Sequence, residues 1–269
     1  MPTVKVGDTN MYYEIHGKGE PLVLIPGYAA DSTTCFFRQV PVLAKNYRVI
    51  AIDNRGSGQS DKPDIPYSMD MMAKDAAGLL DAVGIRKAHI YGISMGGMIA
   101  QHFALCYPEM TASLILACTT CGGRHGVEAD QGFIACFLDM QQTPEERTRR
   151  LFSFLFSQHF ISDRPDIIER FAMLNLKHYP PPHVFMRQGE AVMTHDTYDR
   201  LSEIRVPTLV IAGAEDKVIP VENSRIIASR IPDAESVILE GVPHFLSAEA
   251  PEVANKAIHR FLKRHPIAA

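Results

Sequence analysis

Short apolar runs recurring along the 269-residue chain constrain its fold more than any other feature. Leu22-Val23-Leu24-Ile25, Tyr47 to Ile52, His89-Ile90-Tyr91, Leu114 to Ala117, Thr208 to Ala212 and Ser236 to Leu239 read as strands. The most continuous of them suit strands buried on both faces. Helix-forming stretches lie between them: around Cys35 to Ala44, Met69 to Val83, Met98 to Tyr107, Val221 to Arg230 and Pro251 to Arg264. Ser68 is placed to cap the second of these, and Gly84 to stop it. Thr3 to Val6 and Tyr12 to Ile15 add two further strands around a turn at Gly7-Asp8. Alternating strand and helix with apolar strands implies an α/β fold, a parallel sheet covered by helices on both faces.

The rhythm breaks after Cys121-Gly122-Gly123, and only helical patterns and turns follow until it resumes near Thr208. Thr143-Pro144-Glu145-Glu146 carries a cap, a first-turn proline and a glutamate three positions on, a combined helix start. Pro165-Asp166 opens another helix, and Pro180-Pro181-Pro182 separates it from the next. Residues 1–122 and 200–269 therefore read as one core, and residues 123–199 as a helical insertion.

Composition narrows the functional classes. Apolar residues at 46% and charged residues at 22% allow a substantial core. A net charge of −4 without a run of Lys or Arg argues against nucleic acid as a partner. No apolar stretch is long enough to span a bilayer, and the first residues lack the layout of a signal peptide, so a cytoplasmic location is expected. The five cysteines, Cys35, Cys106, Cys118, Cys121 and Cys136, are expected as free thiols. Cys118-Thr119-Thr120-Cys121 has no second ligand pair and ends a strand rather than opening a helix, so neither metal nor redox chemistry is expected of it.

Ser94 carries the chemistry. It lies in Gly92-Ile93-Ser94-Met95-Gly96-Gly97, between a strand and a helix, the pattern of a nucleophile elbow. A serine hydroxyl needs a base, and the base an orienting acid. In an open parallel sheet, reactive groups belong at the carboxyl ends of strands. Asp216 follows the strand ending at Ala212, and His244 follows the strand ending at Leu239. Glu215 and Glu240 are rival carboxylates, and His195 is the alternative base among 11 histidines; His102 is too far along its helix. Oxyanion donors are expected in the backbone N–H of Met95, opening the helix after the serine, and of Tyr28 in Pro26-Gly27-Tyr28-Ala29.

Pro26-Gly27-Tyr28, Asp53-Asn54-Arg55-Gly56-Ser57-Gly58-Gln59-Ser60, the Ser94 motif, Asp216 and His244 together resemble the α/β-hydrolase superfamily. The closer likeness is to the branch of 3-oxoadipate enol-lactonases, cofactor-free haloperoxidases and small carboxylesterases. The resemblance implies a mostly parallel eight-stranded sheet with a helical cap inserted after the sixth strand. It implies Ser94 as nucleophile, His244 as base, Asp216 as its orienter, and Tyr28 and Met95 as oxyanion donors. The chain departs from the common pattern at Pro26, where the family often has His, and at Pro243, where it often has Gly. The stretch from Asp53 to Ser60 is expected to be a structural turn. Of Arg124, Arg147, Arg149, Arg150, Arg164 and Arg187, one could bind a substrate carboxylate, while most are expected in solvent.

The expected activity is hydrolysis of a small or medium carboxylic ester or lactone through an acyl-enzyme, with no cofactor and no metal. Perhydrolysis, C–C bond hydrolysis on the same triad, and a ligand receptor with little turnover are the alternatives. The expected partner is the small-molecule ester or lactone, with neither nucleic acid nor membrane, and a homodimer is among the assemblies left open.

Overall fold

The computed structural model describes residues 2–139 and 141–267. The apolar runs lie side by side in one eight-stranded sheet. Its strands are β1 (Thr3–Val6), β2 (Thr9–His16), β3 (Glu20–Ile25), β4 (Tyr47–Ile52), β5 (Ala88–Ile93), β6 (Thr111–Ala117), β7 (Thr208–Gly213) and β8 (Glu235–Leu239). The order across the sheet is β1-β2-β4-β3-β5-β6-β7-β8. β2 runs antiparallel to both β1 and β4, and every other neighbouring pair is parallel. After β3 the chain winds to β4 on one side, then returns to β5 on the other. The order thus reverses between β3 and β5, which opens a crevice at their carboxyl ends.

Alternate residues of each central strand supply the two cores. Val23, Ile25, Ile90, Leu114, Leu116 and Val210 face helices α3 (Met69–Ala82), α4 (Met95–Cys106) and α10 (Val221–Arg230). Leu22, Leu24, Tyr91, Ile115, Leu209 and Ile211 face α1 (Ser32–Phe36), α2 (Val40–Leu43), α11 (Leu246–Glu249) and α12 (Pro251–Arg264). Ser68 caps α3 by accepting from the Met71 N–H. The single helix expected from Cys35 to Ala44 is instead two, α1 and α2. A continuous helix would put Pro41 in its interior, where the ring clashes with the preceding turn and a backbone bond is lost; here Pro41 sits in the first turn of α2.

Between β6 and β7 lie α5 (Gln131–Leu138), α6 (Pro144–Leu155), α7 (Gln158–Asp163), α8 (Pro165–Lys177) and α9 (Pro182–Met193). Thr143 and Glu146 form a reciprocal capping box at the start of α6. The segment leaves and rejoins the sheet side by side: Gly123 N–H donates to the His195 carbonyl, and Thr197 N–H to that of Cys121. It has an aromatic core of its own, Phe152, Phe156 and Phe171, which extends onto Phe37 and Phe245 of the sheet domain. Phe245 N–H donates to the Leu155 carbonyl at 3.0 Å. The helical segment is therefore fastened to the loop that carries His244.

Candidate active site

Ser94 stands at the sharp turn between β5 and α4, with φ 57° and ψ −123°. Non-glycine residues rarely hold positive φ, and here the surroundings enforce it. The Ser94 N–H donates to the Ala117 carbonyl at 2.9 Å, and the Ser94 carbonyl accepts from Thr119 Oγ1 at 2.8 Å. The flanking glycines are required by close approach. A Cβ on Gly92 would lie 2.1 Å from the Gly96 carbonyl oxygen, and one on Gly96 would lie 2.1 Å from that of Ile25.

The structure brings the three distant side chains together. His244 Nε2 lies 3.1 Å from Ser94 Oγ, and His244 Nδ1 lies 2.7 Å from Asp216 Oδ2. The second oxygen of Asp216 accepts from the N–H groups of Val218 at 2.9 Å and Ile219 at 2.8 Å. With one oxygen of Asp216 already accepting from two backbone N–H groups and the other facing the imidazole, the tautomer that completes the set carries its proton on Nδ1 and leaves Nε2 to accept from the serine hydroxyl. Asp216 and His244 are both buried, whereas Glu215 and Glu240 are exposed. That separates the rival carboxylates: the backbone after β7 turns Asp216 inward, while Glu215 and Glu240 face solvent. His195 is also set apart. Its Nδ1 meets His102 Nε2 at 3.1 Å and its Nε2 the Thr120 carbonyl at 3.1 Å, so both ring nitrogens are engaged at the neck of the helical segment.

Cys118, Asp216 and His244 each present a ligand atom within 4.8 Å of the others. These groups are already engaged with one another and with the backbone: Asp216 meets Val218, Ile219 and His244, and burial, with the neighbouring Asp216, pushes the Cys118 thiol well up. All five cysteines are free.

The loop after β3 closes the crevice from the other side. A Cβ on Gly27 would touch Ser94 Cβ at 3.3 Å, so the backbone of this loop passes directly beside the serine. The N–H groups of Tyr28 and Met95 donate to no other described residue. Pro26, at the first departure from the family pattern, accepts from Asn54 Nδ2 through its carbonyl at 2.9 Å. Helix α9 grips the same loop. Gln188, fully buried, accepts from the Ala29 N–H at 2.7 Å and donates to the Arg55 carbonyl at 3.0 Å and Ser57 Oγ at 3.1 Å. The Tyr28 hydroxyl donates to the Phe185 carbonyl at 2.5 Å. The turn beneath is built as expected: Asp53 accepts from the Ser32 N–H and hydroxyl and from the Gln59 N–H, and Arg55 forks onto Asp75.

Ser94 and His244 open into a cavity of about 130 Å³. Its walls are mostly apolar, with Phe133, Phe137, Leu151, Leu155, Phe171 and Phe245 among them, and Thr148 and Asn175 interrupt them. Of the six arginines, Arg149, Arg150, Arg164 and Arg187 form exposed ion pairs, and Arg124 bonds its neighbour His125 on the surface. Arg147 departs from the expected solvation. It is buried, lies over the rings of Phe137 and Phe185, and donates to the Phe137 carbonyl. Thr148, Asn175 and Gln188 escaped the sequence reading. The signal for two of them is positional: Thr148 shares a stripe with Leu151, Phe152 and Leu155, and Asn175 one with Ile168, Phe171 and Ala172. A polar residue on an apolar helical stripe has to be accounted for.

The fold and this constellation define a hydrolase scaffold, and the comparisons with known proteins agree. A family model described as the alpha/beta hydrolase fold matches residues 20–251. The chain belongs to that family. It is 32% identical over 268 residues to "Putative carbamate hydrolase RutD" of Azorhizobium caulinodans, covering 97% of this chain and 98% of that one. It is 29% identical over 266 residues to 3-oxoadipate enol-lactonase 2 of Acinetobacter baylyi, with 97% and 96% covered. Among solved structures, an esterase from Thermogutta terrifontis superposes with a TM-score of 0.86 at 27% identity, covering 99% of this chain and all 100% of that one. Among the described residues no helix is long and apolar enough to cross a membrane.

Proposed function

We propose that the protein is a serine hydrolase that cleaves a small or medium carboxylic ester or lactone through an acyl-enzyme. The observation that carries this reading is the unbroken chain of hydrogen bonds from Asp216 through His244 to Ser94. Ser94 Oγ attacks the carbonyl carbon while His244 Nε2 takes its proton, and Asp216 stabilises the resulting imidazolium. The negative charge that develops on the carbonyl oxygen is held by the N–H groups of Tyr28 and Met95. Removal of one such donor costs roughly 3–4 kcal/mol in other serine hydrolases. His244 then gives its proton to the leaving alkoxide as the C–O bond breaks. A water, deprotonated by the same nitrogen, attacks the acyl carbon; the C–Oγ bond breaks, the proton returns from His244 to Ser94 Oγ, and the acid is released.

Size supports a compact substrate. The cavity of about 130 Å³ is close to the ~150 Å³ that takes up a benzene ring in an engineered apolar site. Residues 123–199 act as a cap over it, contributing α5, α6 and α8 to the wall. The free thiols suit a reducing compartment, and we place the enzyme in the cytoplasm. Relatives named as a lactonase, an esterase and a carbamate hydrolase share one step, water replacing a heteroatom at a carbonyl. Carbamates are therefore the second substrate class to test.

A panel of esters, lactones and carbamates, run beside fluorophosphonate labelling with mass-spectrometric mapping, tests the mechanism. The label is expected on Ser94, and Ser94→Ala is expected to lose both label and turnover, the latter by about 10⁴–10⁶. Normal turnover by the alanine variant would reject the serine mechanism.

A further inference from the structure

We propose that Asn175, held in place by Thr148, anchors substrates that carry a hydroxyl or N–H donor on an otherwise apolar group. This deepens the serine-hydrolase reading and rests on it. Both residues line the cavity that Ser94 opens into, and both sit on helices of the insertion, Thr148 on α6 and Asn175 on α8.

The hydrogen bonds fix which way the amide faces. The Thr148 hydroxyl, 1% exposed, donates its proton to the Pro144 carbonyl at 2.8 Å. Its oxygen is then left as an acceptor, and what meets it at 2.9 Å has to be the Asn175 amide nitrogen. The Asn175 carbonyl oxygen, Oδ1, is thereby turned away from Thr148, and it has no hydrogen-bond partner among the described residues. It is an acceptor without a protein donor, on a residue of the cavity wall whose neighbours there include the apolar Leu151, Leu155 and Phe171. A packing role alone does not require it: a leucine would continue the stripe of Ile168, Phe171 and Ala172. An isolated acceptor in an apolar pocket selects for a ligand donor, because a ligand without one leaves the oxygen desolvated and unpaired. The geometry therefore favours a substrate that is apolar around its edge with one donor reaching this point, over a plain hydrocarbon ester.

Two matched ester pairs test this. One varies the acyl side: ethyl trans-4-hydroxycyclohexanecarboxylate against its trans-4-methyl isostere. The other varies the alcohol side: trans-4-hydroxycyclohexyl acetate against trans-4-methylcyclohexyl acetate. For each pair kcat/KM is compared in the wild type, Asn175→Leu and Thr148→Val. A member that is not turned over is scored by how well it protects Ser94 from a fluorophosphonate. The hydroxylated member of one pair is expected to be favoured about tenfold by the wild type. The preference should vanish or invert in Asn175→Leu. It should weaken in Thr148→Val, which keeps the amide but frees its orientation and serves if the leucine variant fails to fold. A wild type indifferent to the hydroxyl in both pairs, or a preference that survives both substitutions, overturns the anchor. Ser94 labelling separates the two levels. A labelled serine with no hydroxyl preference removes the anchor alone, whereas an enzyme neither labelled nor active on esters removes the hydrolase reading with it.

Discussion

At the scale of single residues, the proposed mechanism turns on where protons sit. Asp216 accepts from two backbone N–H groups and faces His244 Nδ1, an arrangement that favours the tautomer with Nε2 free toward Ser94. Asp216→Asn keeps the size but presents an N–H where an acceptor is needed. The expected result, measured as kcat on the best ester of the panel, is a loss of about 10⁴, as for the same change in a serine protease. His195 shows the opposite use of a histidine. Burial, and then the nearby His102, push it down to about 4 from 6.5. Below pH 6.5 the unfolded chain takes up a proton that the folded chain refuses, so this group's stabilising contribution is full above that pH and is lost as pH falls toward 4. Asp53 runs the other way. Burial raises it from 3.8 to about 6, so its contribution falls as pH rises across that interval. The two largely offset each other in the wild type. In urea unfolding, the stability advantage of the wild type over His195→Gln should therefore shrink on the order of 3 kcal/mol between pH 7 and pH 4.

At the scale of elements, helix α9 links the insertion to the candidate active site. Gln188 joins it to both the Tyr28–Ala29 loop and the Asp53 to Ser60 turn, and Tyr28 reaches back to the Phe185 carbonyl. Ala29 holds φ at +53°, a conformation that alanine adopts only when held. Under the proposed mechanism, this clasp sets the direction of the Tyr28 N–H. Gln188→Met removes the acceptor for Ala29 and should lower kcat by up to about 10² while KM moves much less. A boronic acid analogue of the tetrahedral intermediate should lose affinity in parallel. A purely structural role for Gln188 would lower the melting temperature and leave that split unmoved. Nothing in the local sequence announces the clasp: Gln188 lies more than a hundred residues from its partners, and a glutamine on a helix is ordinarily a solvated one.

At the scale of the whole molecule, the sheet and the insertion differ in how they are buried. β5 is buried along its full length, as are the central residues of β3 and β6. Among helices of the insertion, α5 has Cys136 as its buried residue and α7 has none. In native-state hydrogen exchange, amides of β3, β5 and β6 should exchange only on global unfolding, and those of α5 and α7 by local opening. Equal protection in both sets would mean that the aromatic cluster of Phe152, Phe156, Phe171 and Phe245 binds the two parts into one cooperative unit. Exchange in α5 is also informative about substrate, because Phe133 and Phe137 line the cavity and a bound ligand should slow it.

The sheet was legible from the chain alone because apolar strands flanked by capped helices report their own burial. The Ser94 turn was legible because its glycines are demanded within a few residues of one another. Asp216 was the choice among three carboxylates at strand ends, and His244 the choice over His195, but the sequence could not show either side chain turned inward. Covalent neighbours cannot say which side chain a loop turns inward. The break between α1 and α2 was readable in principle from Pro41, whose ring is incompatible with a helix interior. The clasp by Gln188, the engagement of His195, the burial of Arg147 and the lone acceptor on Asn175 were decided by the tertiary structure. Each depends on groups far apart in the chain, and a hydrogen bond is specified by where two atoms meet, not by the residues that carry them.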